Sequence, residues 1–349
     1  MLTSDSRIAV LLHEGIRGTQ GKTGLALLRY RPDTIAAVID RQCAGESLTT
    51  LTGISCQAPI VSSVSEALAY QPNVLAIGIA PSGGALPDPW LTELKQATAA
   101  GLSIMNGLHT QMSAIPELKD LLKQGQWIWD IRQEPLGLKV GSGEARSLPC
   151  LRVLTVGTDM GVGKMATTLE LDRVAQKRGI NSKFLGTGQA GIMIAGDGIP
   201  LDAIRVDFAA GAVEQLVMRY GYDHEMLLIE GQGSLMNPAS TATLPLIRGS
   251  QPTHLILVHR AGQTHIRTFP DVPIPSLQNA VHVYETVAAA GGSFAPVRVV
   301  GIALNTAHLD DEAARTAIAH AQQEAKLPCT DPVRFGADLL LEAILKPIA

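Results

Sequence analysis

Residues 151–171 read LRVLTVGTDMGVGKMATTLEL. A β-rich apolar run ends at Gly157, a glycine-rich turn follows, and Lys164 opens a helical pattern. The turn fits GxxxxGK, running from Gly157 through Thr158, Asp159, Met160, Gly161 and Val162 to Gly163 and Lys164. Set between a strand and a helix, this pattern predicts a phosphate cradle. Glycines let successive N–H groups turn toward one point, the helix N-terminus adds partial positive charge, and the lysine reaches the outer phosphates. One position departs from the pattern. Met165 stands where a Ser or Thr hydroxyl would ligate Mg²⁺, and a thioether is a poor ligand for a hard cation. Thr167 and Thr168 do not simply replace it, because each helical step turns the side chain by about 100°. The expectation is a largely backbone cradle that survives, with Mg²⁺ binding weakened, water-filled or supplied by carboxylates.

Outward from this loop, short β-rich runs alternate with helical patterns. The runs include RIAVLL (7–12), TIAAVI (34–39), VLAIGI (74–79), KFLG (183–186), MLLIE (226–230), HLILV (254–258) and VRVVGIAL (297–304). Most are continuously apolar, as expected of strands covered on both faces in a parallel sheet. The fold class is therefore α/β. The polar, Gly/Pro/Ser-bearing stretch EPLGLKVGSGEARSLP (134–149) marks a boundary. Two units are expected, 1–140 and 148–349, the second built on a mostly parallel sheet.

Composition narrows the function classes. The chain has 349 residues, 46% of them apolar and 17% charged, with a net charge of −4. That is enough apolar material for two full cores. It lacks the basic stripe of a nucleic-acid binder. The start, MLTSDSRIAVLLHEG, does not read as a secretory signal, and no apolar run is long enough for a membrane span. Cys43, Cys56, Cys150 and Cys329 form no CxxC pair, which fits reduced thiols in a cytoplasm better than zinc or disulfides. Ala-rich helices and long apolar stretches leave room for a subunit contact, so a homo-oligomer is expected.

Other segments carry alternative readings. GTQGKTG (18–24) follows the first strand with Gly15, Gly18, Gly21, Gly24, Arg17 and Lys22, and reads equally as an anion site or a flexible turn. GTGQAG (186–191) is a literal GxGxxG, but the residues after it are broken by Gly196, Gly198 and Pro200. A dinucleotide fingerprint should open a helix at once, so a glycine loop facing the phosphate site is preferred. LLIEGQGS (227–234) puts Glu230 at the end of an apolar strand, where ligand crevices form in parallel sheets and a carboxylate holds Mg²⁺ or its waters. Asn305 ends another strand and reads as a purine-edge contact or a turn residue. His254, His259 and His265 lack metal-site spacing and read as core or surface residues.

The motifs GTDMGVGK (157–164), EGQGS (230–234) and ALNT (303–306) resemble dethiobiotin synthetase and its P-loop relatives. A resemblance over nearly the whole chain is carried by GTDMGVGKMATTLEL (157–171), TGQAGIMIAGDGIPLDA (187–203), DFAAGAVE (207–214), IEGQGSL (229–235) and TDPVRFGAD (330–338). These look like the DgcN-like family of domain-of-unknown-function proteins, where the Met after the lysine is typical. The resemblance implies a Rossmann-like N-terminal domain joined to a P-loop NTPase-like C-terminal domain. It also implies N-acetylation of a D-amino acid such as D-glutamate, with acetyl-CoA as donor. Carried over, Gly157–Lys164 is the phosphate cradle, Glu230 the site carboxylate, and Gln189 and Asp207 substrate-side candidates. On this reading Glu230 is the base, the 186–191 loop supplies oxyanion donors, and Arg205 or Arg248 holds the substrate carboxylate. Two alternatives stand beside it: an ATP-dependent ligase or kinase on a small carboxylate or amine, and a nucleotide-sensing regulator.

Overall fold

The computed structural model describes residues 2, 5–81, 86–292 and 296–347. The described chain separates into two compact units. The first comprises residues 1–133 with a returning segment, 189–200. The second comprises residues 134–188 and 201–349. Two consecutive segments, as read from the sequence, do not include that return.

The first unit holds β1 (Ile8–Leu11), β2 (Ile35–Ile39), β3 (Ile60–Val61), β4 (Val74–Ile77), β5 (Ser103–Asn106) and β6 (Ile128–Asp130). They pair in parallel in the order β3-β2-β1-β4-β5-β6, the order of Rossmann-like sheets. The apolar runs at 7–12, 34–39 and 74–79 account for the three central strands. β3 and β6 are short, and β5 and β6 carry the polar Ser103, Asn106 and Asp130, so their pattern is weak in the sequence. All of β1 is buried, and each such Leu or Ile contributes about 1.5–3 kcal/mol.

The returning segment begins with a helix, Gln189–Ala195. This corrects the expectation that no helix opens at the GxGxxG. Ile192, Met193 and Ile194 are buried, and the carbonyl of Ile194 accepts from Arg31 Nη1 at 3.2 Å. These apolar side chains find their core in the first unit, against the helix Lys22–Tyr30.

The second unit contains β7 (Leu151–Gly157), β8 (Ser182–Leu185), β9 (Met226–Ile229), β10 (His254–Arg260), the hairpin β11 (His265–Ile266) and β12 (Phe269–Pro273), β13 (Arg298–Asn305) and β14 (Cys329–Thr330). Apart from the hairpin, the strands form one parallel sheet in the order β14-β13-β10-β7-β9-β8. One face carries Val153, Leu228, Ile256, Val258 and Ala303. It packs on Val162, on the helix Lys164–Lys177 through Leu171 and Ala175, and on the helix Asp338–Leu345 through Leu340 and Leu341. The boundary stretch is tied to this unit. Buried Glu214 accepts from Ser142 N at 2.8 Å, Ser142 Oγ at 2.9 Å and Glu144 N at 2.6 Å. Among the described residues no helix is long and apolar enough to cross a membrane.

Candidate functional site

β7 delivers the glycine-rich loop to the C-terminal edge of the second sheet, and the helix Lys164–Lys177 starts directly after it. Gly161 and Gly163 take φ of +69° and +119°, a region that β-carbons disfavour. The amides of Lys164, Met165 and Ala166 open a helix and so have no intrahelical acceptor. Lys164 is buried and its Nζ donates to the carbonyl of Asp159 at 2.9 Å, folded back along the loop. A β-carbon on Gly157 would lie 3.0 Å from that Nζ. The strand end is thus bare to let the lysine lie across it.

The loop is braced from several sides. Asp159 Oδ1 accepts from Met160 N at 2.7 Å and Asn237 Nδ2 at 2.8 Å, and Oδ2 accepts from Gln263 Nε2 at 2.7 Å and Arg267 N at 2.9 Å. Burial alone would raise its pKa. The Arg267 amide, with Asn237, Met160 and Gln263, outweighs burial and holds the carboxyl below its ordinary value. Thr158 N donates to Val258 O at 3.1 Å, and its hydroxyl pairs with His259 Nδ1 at 2.8 Å. Burial pushes His259 down to about 4, so the ring is neutral. Tyr284, fully buried, donates to Gly157 O at 2.7 Å and accepts from Leu235 N at 3.1 Å. Asn305 Nδ2 donates to Val162 O at 2.9 Å, and its Oδ1 accepts from Ala307 N at 3.1 Å.

Glu230 follows β9 and is buried. Its Oε2 accepts from Thr187 N at 2.9 Å and Gly188 N at 3.1 Å, and Oε1 is 3.4 Å from Gln232 Nε2. Burial pushes the carboxyl up to about 7, against the pull of the two amides and of the Lys164 charge. Gly231 lets this segment lie against β7. Its amide donates to Thr155 Oγ1 at 2.9 Å, and a β-carbon there would fall 1.7 Å from Thr155 O and 2.9 Å from Lys164 Cδ. Backbone packing therefore holds the acid, just past the end of β9, beside the β7 end across which the lysine lies.

Several expectations change. Thr158 and the Asp159 side chain brace the loop instead of facing a ligand, and Asn305 spends its amide on Val162 instead of presenting it to a purine edge. Thr187 and Gly188 donate to Glu230, so these amides of the 186–191 loop do not supply an oxyanion hole. Gln189 belongs to the first unit, where its side chain packs against Gly107. Asp207 lies exposed in the first turn of the helix Val206–Tyr220. Arg205 pairs with Glu134 (Nη2–Oε1 2.6 Å), and Arg248 Nε donates to Gly291 O at 3.1 Å, so neither stands free for a substrate carboxylate. The sequence reading missed Asn237, Gln263 and Tyr284, none of which lies in a recognisable motif.

A Rossmann-like sheet and a P-loop domain in one chain define the class: a two-domain P-loop protein. Within it, the chain belongs to the DUF1611 family. Its P-loop domain, described as a C-terminal domain of unknown function, matches residues 139–341, and the family's Rossmann-like N-terminal domain matches residues 41–134. A crystal structure of a DUF1611 family protein from Anabaena variabilis is 64% identical, covers 98% of this chain and all of its own, and superposes with a TM-score of 0.94. A Tritonibacter scottomollicae protein named D-glutamate N-acetyltransferase is 37% identical over 93% of both chains. A Pseudoalteromonas protein of the same name is 35% identical over 86% of this chain and 89% of its own.

Proposed function

We propose that this protein transfers an acetyl group from acetyl-CoA to the amine of a small D-amino acid, D-glutamate first among the candidates. The observation that carries the chemistry is Glu230, a buried acid with a pKa of about 7, held within reach of the Lys164 charge beside the glycine-rich loop. The names of the two curated relatives support the substrate class. The loop takes the donor's phosphates on the amides of residues 161–164 and on the Lys164 ammonium, the Thr158 and Met160 amides being spent on Val258 O and Asp159 Oδ1, and Asn305 keeps Val162 in place. A base near neutrality is matched to an ammonium acceptor at physiological pH. In the reaction the acceptor nitrogen forms a bond to the acyl carbon, the C–S bond breaks, and the electron pair leaves with the thiolate. One ammonium proton passes first to Glu230, which frees the amine's lone pair, and the second leaves the nitrogen for the departing thiolate, so that an amide and a free thiol result. Thr187 N and Gly188 N fix one carboxylate oxygen, leaving the other for the proton.

Purified protein incubated with acetyl-CoA and D-glutamate should release free thiol and form N-acetyl-D-glutamate, seen by mass spectrometry. Glu230→Gln should lower the rate at least ~10²-fold. Absence of free CoA with every member of a D- and L-amino-acid panel would overturn the proposal. ADP release from ATP in the same panel would favour the ligase or kinase reading.

A further inference from the structure

A diphosphate brings several negative charges to the loop, and a P-loop commonly shares them between its lysine and Mg²⁺. The donor set here does not fit Mg²⁺. Met165 offers sulfur where the cation wants oxygen. The Asp159 carboxylate is taken by four N–H donors. Glu230 turns one oxygen to Thr187 N and Gly188 N. Among the described residues no group of three His, Cys, Asp or Glu side chains is placed to hold a metal ion.

A second cation is nevertheless built into the sheet. β10 lies directly between β7 and β13. Val258 is in register with Gly157, and Arg260 is in register with Asn305. Side chains alternate along a strand, and paired residues of parallel neighbours share a face. Ile256 and Val258 are on the face that packs on Val162 and the P-loop helix, so Arg260 continues that row. Asn305 confirms the face, since its amide reaches Val162 O. Arg260 therefore emerges two residues beyond the level of Gly157, one strand over, about 5 Å to the side. It is exposed, and among the described residues it has no ion-pair or hydrogen-bond partner for its side chain.

We propose that the loop binds its phosphates without a divalent cation, and that the Arg260 guanidinium supplies the second positive charge. The planar fork grips two phosphate oxygens at once, which a lysine does not do. This rests on the phosphate role of the loop and goes beyond it by assigning the counter-charge.

The test is calorimetric titration of the full chain with CoA and with ADP, each with Mg²⁺ and with EDTA. Wild type should bind at least one probe with the same Kd in both buffers, within about twofold. Arg260→Ala should weaken that probe by about 10- to 100-fold. Arg260→Lys should fall between, and Arg248→Ala should match wild type. Arg260 is exposed, so the ligand-free variant should melt with the wild type. Binding that disappears in EDTA, or an Arg260→Ala variant with unchanged Kd, overturns the inference while leaving the phosphate loop standing. Failure of wild type to bind either probe in either buffer instead removes the phosphate reading itself, and this inference with it.

Discussion

The molecule contains two glycine-rich turns between a first strand and a helix, one in each unit, and they use glycine for opposite purposes. In the turn after β1, the missing side chains are replaced by the protein's own backbone. A β-carbon on Gly18 would lie 2.2 Å from Glu14 O, and one on Gly21 would lie 2.1 Å from Gly15 O. Gly24 makes a separate close approach, its N donating to Gly78 O at 2.7 Å. None of these glycines has a positive φ. The turn after β7 is different. Gly161 and Gly163 adopt backbone angles that other residues resist, and Gly161 is exposed. Here glycine serves a left-handed backbone, whereas in the first turn it serves packing. The anion reading of residues 18–24 loses its support accordingly, because the space that glycine leaves is filled.

Substitutions test this contrast, beginning with the largest expected effect. Gly21→Ala drives a methyl group into a carbonyl that cannot move aside, and should cost about 3 kcal/mol in urea unfolding. CoA affinity of the folded fraction should not change. A Gly21→Ala protein that stays stable and loses CoA binding would mean that the first turn is a ligand site after all.

Next comes Asp159→Asn, which presents an NH₂ group to donors that need an acceptor and should cost about 2 kcal/mol at neutral pH. The carboxyl is held below its ordinary value, so its contribution is present above the unfolded carboxylate pKa and lost as pH falls through the folded one. Urea melts at neutral and acid pH should show the gap between wild type and variant closing in acid. A gap that is independent of pH would detach the second turn from this carboxylate brace.

Glu230 has the opposite sign. Its folded pKa of about 7 lies above the unfolded value, so its protonated form contributes stability that is lost as pH rises through about 7. Glu230→Gln should therefore gain on wild type by up to about 3 kcal/mol between acid and mildly alkaline pH, read from paired melts. A difference that does not move across that window would show that folding leaves the carboxyl at its ordinary pKa. The smallest expected effect is Thr158→Val, about 1 kcal/mol, from loss of the buried bond to His259. Calorimetry should find CoA affinity nearly intact, since Thr158 faces the brace.

The parts of this protein that were readable are those whose cause is local. The glycine spacing of 157–164, the strand before it and the helix after it are set within about twenty residues. The continuous apolar runs announce parallel strands because each strand must be buried on both faces. Glu230 was readable as a strand-end acid. Its pKa was not, because that depends on burial and on amides more than forty positions earlier, at Thr187 and Gly188. Asp159 looked like a ligand contact because the motif says nothing of Asn237, Gln263 and Arg267, which reach it from other segments.

The amino-acid sequence by itself determined the α/β class, the two-unit plan and the shape of the glycine-rich loop at 157–164, since hydrophobic period and glycine placement act over short distances. Only the tertiary structure decided which polar groups remain available. It returned 189–200 to the first unit, where Ile192 and Met193 find a core, and it set Arg260 beside Asn305 through strand register. A side chain's type states what it is able to bind. Its hydrogen-bond partners, brought in from distant segments, decide whether it is still free to do so.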